Sequence, residues 1–160
     1  MAPRTAIAVV GAGEASAPLR ELAFATGRAI ARHGATLVCG GRGGVMEAAA
    51  AGAQSAGGPT LGILPGYDRH AANPHIEFAI ATGMGEARNA IVVASADAVV
   101  ALAGEAGTLS EIGLALKLKR PVVALCSWAE LGGLTRADDP ESAVQLALTL
   151  AADPAGERSK

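Results

Sequence analysis

The chain reads as a three-layer Rossmann-like α/β domain, doubly wound around a mainly parallel sheet, and three observations lead there. Short β-branched runs alternate with longer alanine-rich stretches, the sequence form of repeated β-α units. Glycine clusters directly follow several of the β-branched runs, where such sheets place their ligand loops. The apolar half of the composition is alanine, valine and leucine, with aromatics at only 2%, which suits helices packed closely over a sheet buried on both faces.

Each element follows from local pattern. Thr5 to Val10 is the first strand, and Pro18 to His33 the first helix, with Leu19, Leu22, Ala23, Thr26 and Ile30 at helical spacing, Ser16 as its cap and Gly34 as its stop. Ala35 to Cys39 is a strand and Gly43 to Ala56 a helix, broken by Gly57, Gly58 and Pro59. Thr60 to Leu64 is the third strand. Pro65 to Pro74 is polar and aperiodic, so it is expected to be a loop with some mobility. A strand at Ile76 to Ile80, a helix at Glu86 to Ser95, a strand at Ala98 to Leu102, a helix at Leu109 to Lys119, a strand at Val122 to Leu125 and a last helix within Pro140 to Ala151 complete the series.

A length of 160 residues allows one core, so residues 1–152 are expected to form a single ligand-binding domain and 153–160 a flexible tail. Net charge is −2, and no stripe of Lys or Arg offers electrostatic capture of nucleic acid. The start lacks a signal-peptide pattern, and no apolar run approaches the roughly 20 residues of a membrane span, so a cytoplasmic protein without membrane contact is expected. Cys39 and Cys126 have no Cys or His at metal-ligand spacing; buried thiols and no metal site are the expectation.

Three loops carry the candidate chemistry. Gly11 and Gly13, after the first strand, let the backbone approach a phosphate at a helix N-terminus. The third glycine of the dinucleotide fingerprint is missing and no acid ends the second strand, which disfavours NAD; an NADP-linked oxidoreductase using Gly11, Gly13 and Arg42 stays open. Gly40, Gly41, Gly43 and Gly44 surround Arg42 and precede Met46, a density of glycine that points to close backbone approach with Arg42 free to pair with a phosphate. In the third loop Gly104, Gly107 and Thr108 precede Glu111. Thr108 and Glu111 have the spacing of a capping box, or Glu111 is a ligand-facing carboxylate able to stabilise a cationic sugar. Arg88 stands in the opening turn of its helix, where a cation is disfavoured unless Glu86 or a bound phosphate compensates, and Asn89 beside it suits a base or pterin edge.

These segments, Gly40 to Glu47, Gly85 to Asn89 running on to Leu102, and Gly107 to Ile112 with Leu114 to Lys117 and Arg120 to Val123, occur in the order and spacing of the lonely-guy (LOG) superfamily. The chain especially resembles the superfamily's molybdenum-cofactor-carrier branch. The resemblance implies a Rossmann-like fold, a homodimer or higher oligomer, and a ligand phosphate held at the Gly104 to Thr108 loop, the ligand being a molybdenum cofactor or a nucleoside monophosphate. It leaves open whether the ligand is only carried. In the enzymatic branch, which releases the base from cytokinin nucleoside 5′-monophosphates, an arginine and a glutamate matching Arg88 and Glu111 are catalytic. Two departures separate this chain from that branch: Ala103 to Thr108 reads Ala-Gly-Glu-Ala-Gly-Thr, placing Glu105 beside the expected phosphate, and Asn89 follows Arg88 where the enzymes commonly have lysine. The lysine decarboxylase label often given to such proteins fails on chemistry, because the only lysines are Lys117, Lys119 and Lys160 and none ends a strand.

Overall fold

The computed structural model describes residues 1–153, so all but the first residue of the expected tail lies outside the described residues. In chain order the elements are β1 (Ala6–Val10), α1 (Ala17–Arg32), β2 (Thr36–Cys39), α2 (Val45–Ser55), β3 (Thr60–Leu64), β4 (Phe78–Ala81), α3 (Asn89–Ala94), β5 (Ala98–Ala101), α4 (Ala106–Lys117), β6 (Val122–Leu125), β7 (Thr135–Ala137) and α5 (Pro140–Ala152). The strands form one sheet in the order β4-β3-β2-β1-β5-β6-β7, with every neighbouring pair parallel. The chain winds outward from β1 to β4, returns beside β1 as β5, and winds outward again. The winding therefore reverses between β1 and β5, the place where open sheets of this kind leave a crevice.

The alternation of side chains along each strand divides the core in two. Ile7, Val9, Leu37, Val100 and Leu125 face a layer made by α1, α2 and α5, while Ala8, Val10, Val38, Val99 and Val122 face α3 and α4. Small residues bring the first layer close. A β-carbon on Gly27 would lie 1.8 Å from the Ala49 carbonyl oxygen, and one on Gly52 1.9 Å from that of Phe24, so α1 and α2 meet backbone to backbone through these two glycines.

Several expectations need correction. The sheet gains β7, three residues without an apolar run, held because the Arg136 guanidinium donates to the carbonyls of Trp128, Ala129 and Leu131 at 2.8, 2.9 and 2.7 Å. The loop between β3 and β4 is not slack: a 3-10 turn at Arg69–Ala71, capped by Asp68, and several long-range hydrogen bonds order it. Cys39 is buried as expected, but Cys126 is exposed, at a left-handed φ of 51°. Helix α4 begins at Ala106, which puts Thr108 and Glu111 inside the helix and removes the capping box; Glu105 takes the cap position without a side-chain cap bond. No helix among the described residues is long and apolar enough to cross a membrane.

The α1–α2 contact gives a stability test. Gly52→Ala is expected to lose roughly 1–3 kcal/mol, a fall in Tm of roughly 2–12 °C, because the methyl group is forced onto a backbone carbonyl. Gly113→Ala, in exposed helix with open space at the β-carbon, is expected to hold or raise Tm. Equal thermal unfolding of the two variants would contradict the packing account.

Candidate ligand-binding site

The main-chain N–H and carbonyl of Ala12 join the three glycine loops. Its N–H donates to the carbonyl of Ala103 after β5 at 2.9 Å, and its carbonyl accepts from the N–H of Val45 at the start of α2, also at 2.9 Å. Glycines stand where neighbours close on this residue. A β-carbon on Gly44 would lie 2.3 Å from the Ala12 oxygen, and Gly44 itself has φ +64°; one on Gly104 would lie 2.0 Å from Thr108 Oγ1 and 3.1 Å from the Ala12 nitrogen. The loops are thereby fixed around a cleft of about 610 Å³ at the carboxyl ends of β1, β2 and β5, within the size range of small-molecule sites.

The start of α4 forms one wall. The first intrahelical bond is the Leu109 N–H to the Glu105 carbonyl, and the amides of Ala106, Gly107 and Thr108 have no acceptor among the described residues. A helix N-terminus with free N–H groups and a positive dipole end attracts an anion. β-carbons on Gly13 and Gly107, both lining the cleft, would meet nothing within 4 Å, so the backbone is bare toward the cleft interior.

Arg88 closes the floor. It ends a 3-10 turn, Gly85–Arg88, rather than opening the helix, and it is 6% exposed. Its guanidinium donates to Asn89 Oδ1 and reaches the Gly40 carbonyl at 3.5 Å, while its Nε is buried without a partner. Gly40 makes room for it, since a β-carbon there would sit 2.8 Å from Nη2. Glu86 makes no ion pair with Arg88; it lines the cleft instead. A buried cation with an unmet donor is costly unless an anion completes it.

Glu111, 8% exposed in the second turn of α4, also faces the cleft and has no hydrogen bond or ion pair among the described residues. Burial pushes its carboxyl up to about 7; the nearby Arg88 charge opposes this and Glu86 adds to it. Beneath the second loop, burial raises the Cys39 thiol to about 11, and its sulfur accepts from the Gly41 N–H at 3.4 Å, so it stays a packed thiol. The cleft holds four carboxylates, Glu14, Glu86, Glu105 and Glu111, against two cations, Arg42 and Arg88. No group of three or more His, Cys, Asp or Glu placed to hold a metal ion occurs among the described residues.

The family profile described as SLOG cluster4 matches residues 4–152. The chain belongs to the SLOG cluster4 family. Among solved structures, it is similar to the molybdenum cofactor binding protein of Rippkaea orientalis, at 39% identity and TM-score 0.86 over 92% of this chain and 98% of that one. It is also similar to the molybdenum cofactor carrier protein of Chlamydomonas reinhardtii, at 34% identity and TM-score 0.86 over 94% and 99% of the two chains. A cytokinin riboside 5′-monophosphate phosphoribohydrolase of Mycobacterium tuberculosis is 35% identical over 128 residues, 74% of this chain and 68% of that one.

In this SLOG cluster4 chain, the sequence-derived residues Gly11, Gly13, Arg42, Gly43, Met46, Arg88, Asn89, Gly107, Thr108 and Glu111 line one cleft. Gly40, Gly41, Gly44 and Gly104 do not line it; Gly40, Gly44 and Gly104 admit Arg88, Ala12 and Thr108, and Gly41 takes φ +73° against Leu64. Sequence reading missed Glu14 as a lining residue and treated Glu86 only as a partner for Arg88. The available signal was an acid directly following each of two glycines, Gly13 and Gly85.

Glu111 gives a pH test. Between its ordinary value of 4.5 and about 7, the folded chain keeps a proton that the unfolded chain has released. The contribution is therefore fully present below 4.5 and lost as pH rises through about 7, by up to about 1.4 kcal/mol per pH unit. Denaturant titrations at several pH values are expected to show wild type losing stability relative to Glu111→Gln across that window. A constant difference would contradict the burial of this carboxyl.

Proposed function

We propose that this protein binds a phosphate-bearing, pterin- or nucleotide-like ligand in the cleft and acts as a molybdenum cofactor carrier-like protein. The observation that carries the reading is the free head of α4 at the cleft, where the amides of Gly107 and Thr108 have no acceptor among the described residues, with the Arg88 and Arg42 side chains lining the same cleft. Such donors suit a phosphate or phosphonate-like oxygen better than water, because the helix dipole and the arginine favour full negative charge. Glu111, buried in the cleft without a protein partner, is placed to face a hydrogen-bonding group of the ligand beyond its anion, as a pterin amino edge or a sugar hydroxyl provides. The molybdenum cofactor would supply its own metal chemistry as cargo, while the chain contributes amides, Arg88, Asn89 and Arg42 to hold and shield it. Similarity to two molybdenum cofactor binding and carrier proteins over nearly their whole length supports this choice of ligand class.

A nucleoside 5′-monophosphate phosphoribohydrolase is the second reading, and Glu111 favours it. A carboxyl titrating near neutrality in a buried cleft can stabilise a ribosyl cation or take a proton from attacking water. Arg88 would orient the ligand. Similarity to the mycobacterial phosphoribohydrolase supports it too. Incubation with AMP and with isopentenyladenosine monophosphate separates the readings: free base that disappears in Glu111→Ala would replace the carrier reading by the enzymatic one.

A homodimer is part of the proposal. Leu109 and Leu116 of α4 are 45% and 40% exposed, whereas Val92 and Val93 of α3 are spent in the core. Native mass spectrometry of freshly purified protein is expected to give a dimer mass carrying a small phosphate-bearing molecule. Gly107→Val, which meets no protein atom at its β-carbon, is expected to lose that molecule while keeping its thermal stability within about 1 kcal/mol. Retention of the same molecule by Gly107→Val would contradict the site.

A further inference from the structure

The polar segment between β3 and β4 contributes nothing to the cleft lining, yet it returns to the loop that carries Arg42. Asn73 does this with two donors. Its N–H donates to the Gly41 carbonyl at 2.9 Å, and its Nδ2 donates to the Arg42 carbonyl at 2.9 Å. Its Oδ1 accepts from the His75 N–H at 3.1 Å, which fixes the amide so that Nδ2 faces Arg42. The chain behind it is anchored as well. Thr60 Oγ1 donates to the His75 carbonyl at 2.7 Å and accepts from the Glu77 N–H at 2.8 Å, and His75 Nδ1 lies 2.7 Å from Gln54 Oε1 of α2.

Arg42 needs such support. It is exposed, glycines precede and follow it, and its guanidinium has no protein partner among the described residues. A long side chain on a backbone this permissive samples many positions, so where its main chain is held decides how much of the time the guanidinium faces the cleft. Among the described residues, the carbonyls of Gly41 and Arg42 receive hydrogen bonds from Asn73 alone.

We propose that Asn73 is a positioning residue for the ligand site: its two donors hold the Gly41 and Arg42 carbonyls so that the Arg42 guanidinium stays at the cleft and pairs with the ligand's anionic group. This rests on the reading of the cleft as an anion site. Asn73 touches no ligand itself, and its effect passes through Arg42.

The test is a double-mutant cycle of AMP binding by calorimetry, using wild type, Arg42→Ala, Asn73→Ala and the double variant. Asn73→Ala is expected to weaken AMP about five- to tenfold when Arg42 is present and to cause no further loss in Arg42→Ala. A general loosening of the site would weaken binding in both backgrounds, so equal losses overturn the proposal, as does wild-type affinity in Asn73→Ala. Should Asn73→Ala not fold, the uncharged Asn73→Ser keeps the main-chain donor and an oxygen able to accept from the His75 N–H while removing the amide donor to the Arg42 carbonyl; the same coupling is expected and its absence overturns the proposal. Absence of AMP binding by wild type would instead count against the anion site, and the role of Asn73 would fall with it.

Discussion

The site depends on the two main-chain hydrogen bonds of one residue. Ala12 donates to the loop after β5 and accepts from the start of α2, so three loops that leave three different strands are held at fixed separation. A parallel sheet provides the crevice at its switch point, but the sheet alone does not determine how the loops lie over it. Two hydrogen bonds through one residue do, and they aim the free end of α4 inward. Because both groups are main chain, no side chain at position 12 is required; what is required is that neighbours come close enough.

That requirement explains the glycines better than ligand contact does. Gly44 and Gly104 are small because Ala12 and Thr108 press on them, and Gly40 is small because Arg88 lies across it. Gly13 and Gly107 are different: a β-carbon on either would meet nothing within 4 Å, and they front the cleft. The same residue type thus serves two purposes within one site, one group building the frame and the other leaving space. The frame also sets the electrostatics. Burying Arg88 under Gly40 removes it from water with one nitrogen unmet, and burying Glu111 nearby holds its carboxyl near neutrality.

Much of this was legible from residue order. Strands β1, β2, β3, β5 and β6 announced themselves because both faces are covered, which makes each a short uninterrupted apolar run, and Ser16 and Gly34 marked the ends of α1. That Arg88 and Glu111 line one cleft was also readable, through glycine loops at strand ends and family resemblance. What escaped was set by tertiary contact. β7 is a strand because of the sheet edge and Arg136, with no pattern of its own. The start of α4 lies ahead of the residues whose spacing mimicked a capping box, because Gly104 lets the chain turn early against Thr108. Asn73 looked like one polar residue among many, since its importance lies in two carbonyls more than thirty positions earlier in the chain, at Gly41 and Arg42.

The account stands on main-chain amides at the head of α4 being vacant for an anion. Titrating ¹⁵N-labelled protein with inorganic phosphate and following amide resonances addresses this directly. The expected result is that Ala106, Gly107 and Thr108 move first and saturate together, with Ala12, already bonded to Ala103, moving little. Phosphate shifts confined to other surfaces, or none at these three amides at saturating phosphate, would contradict it.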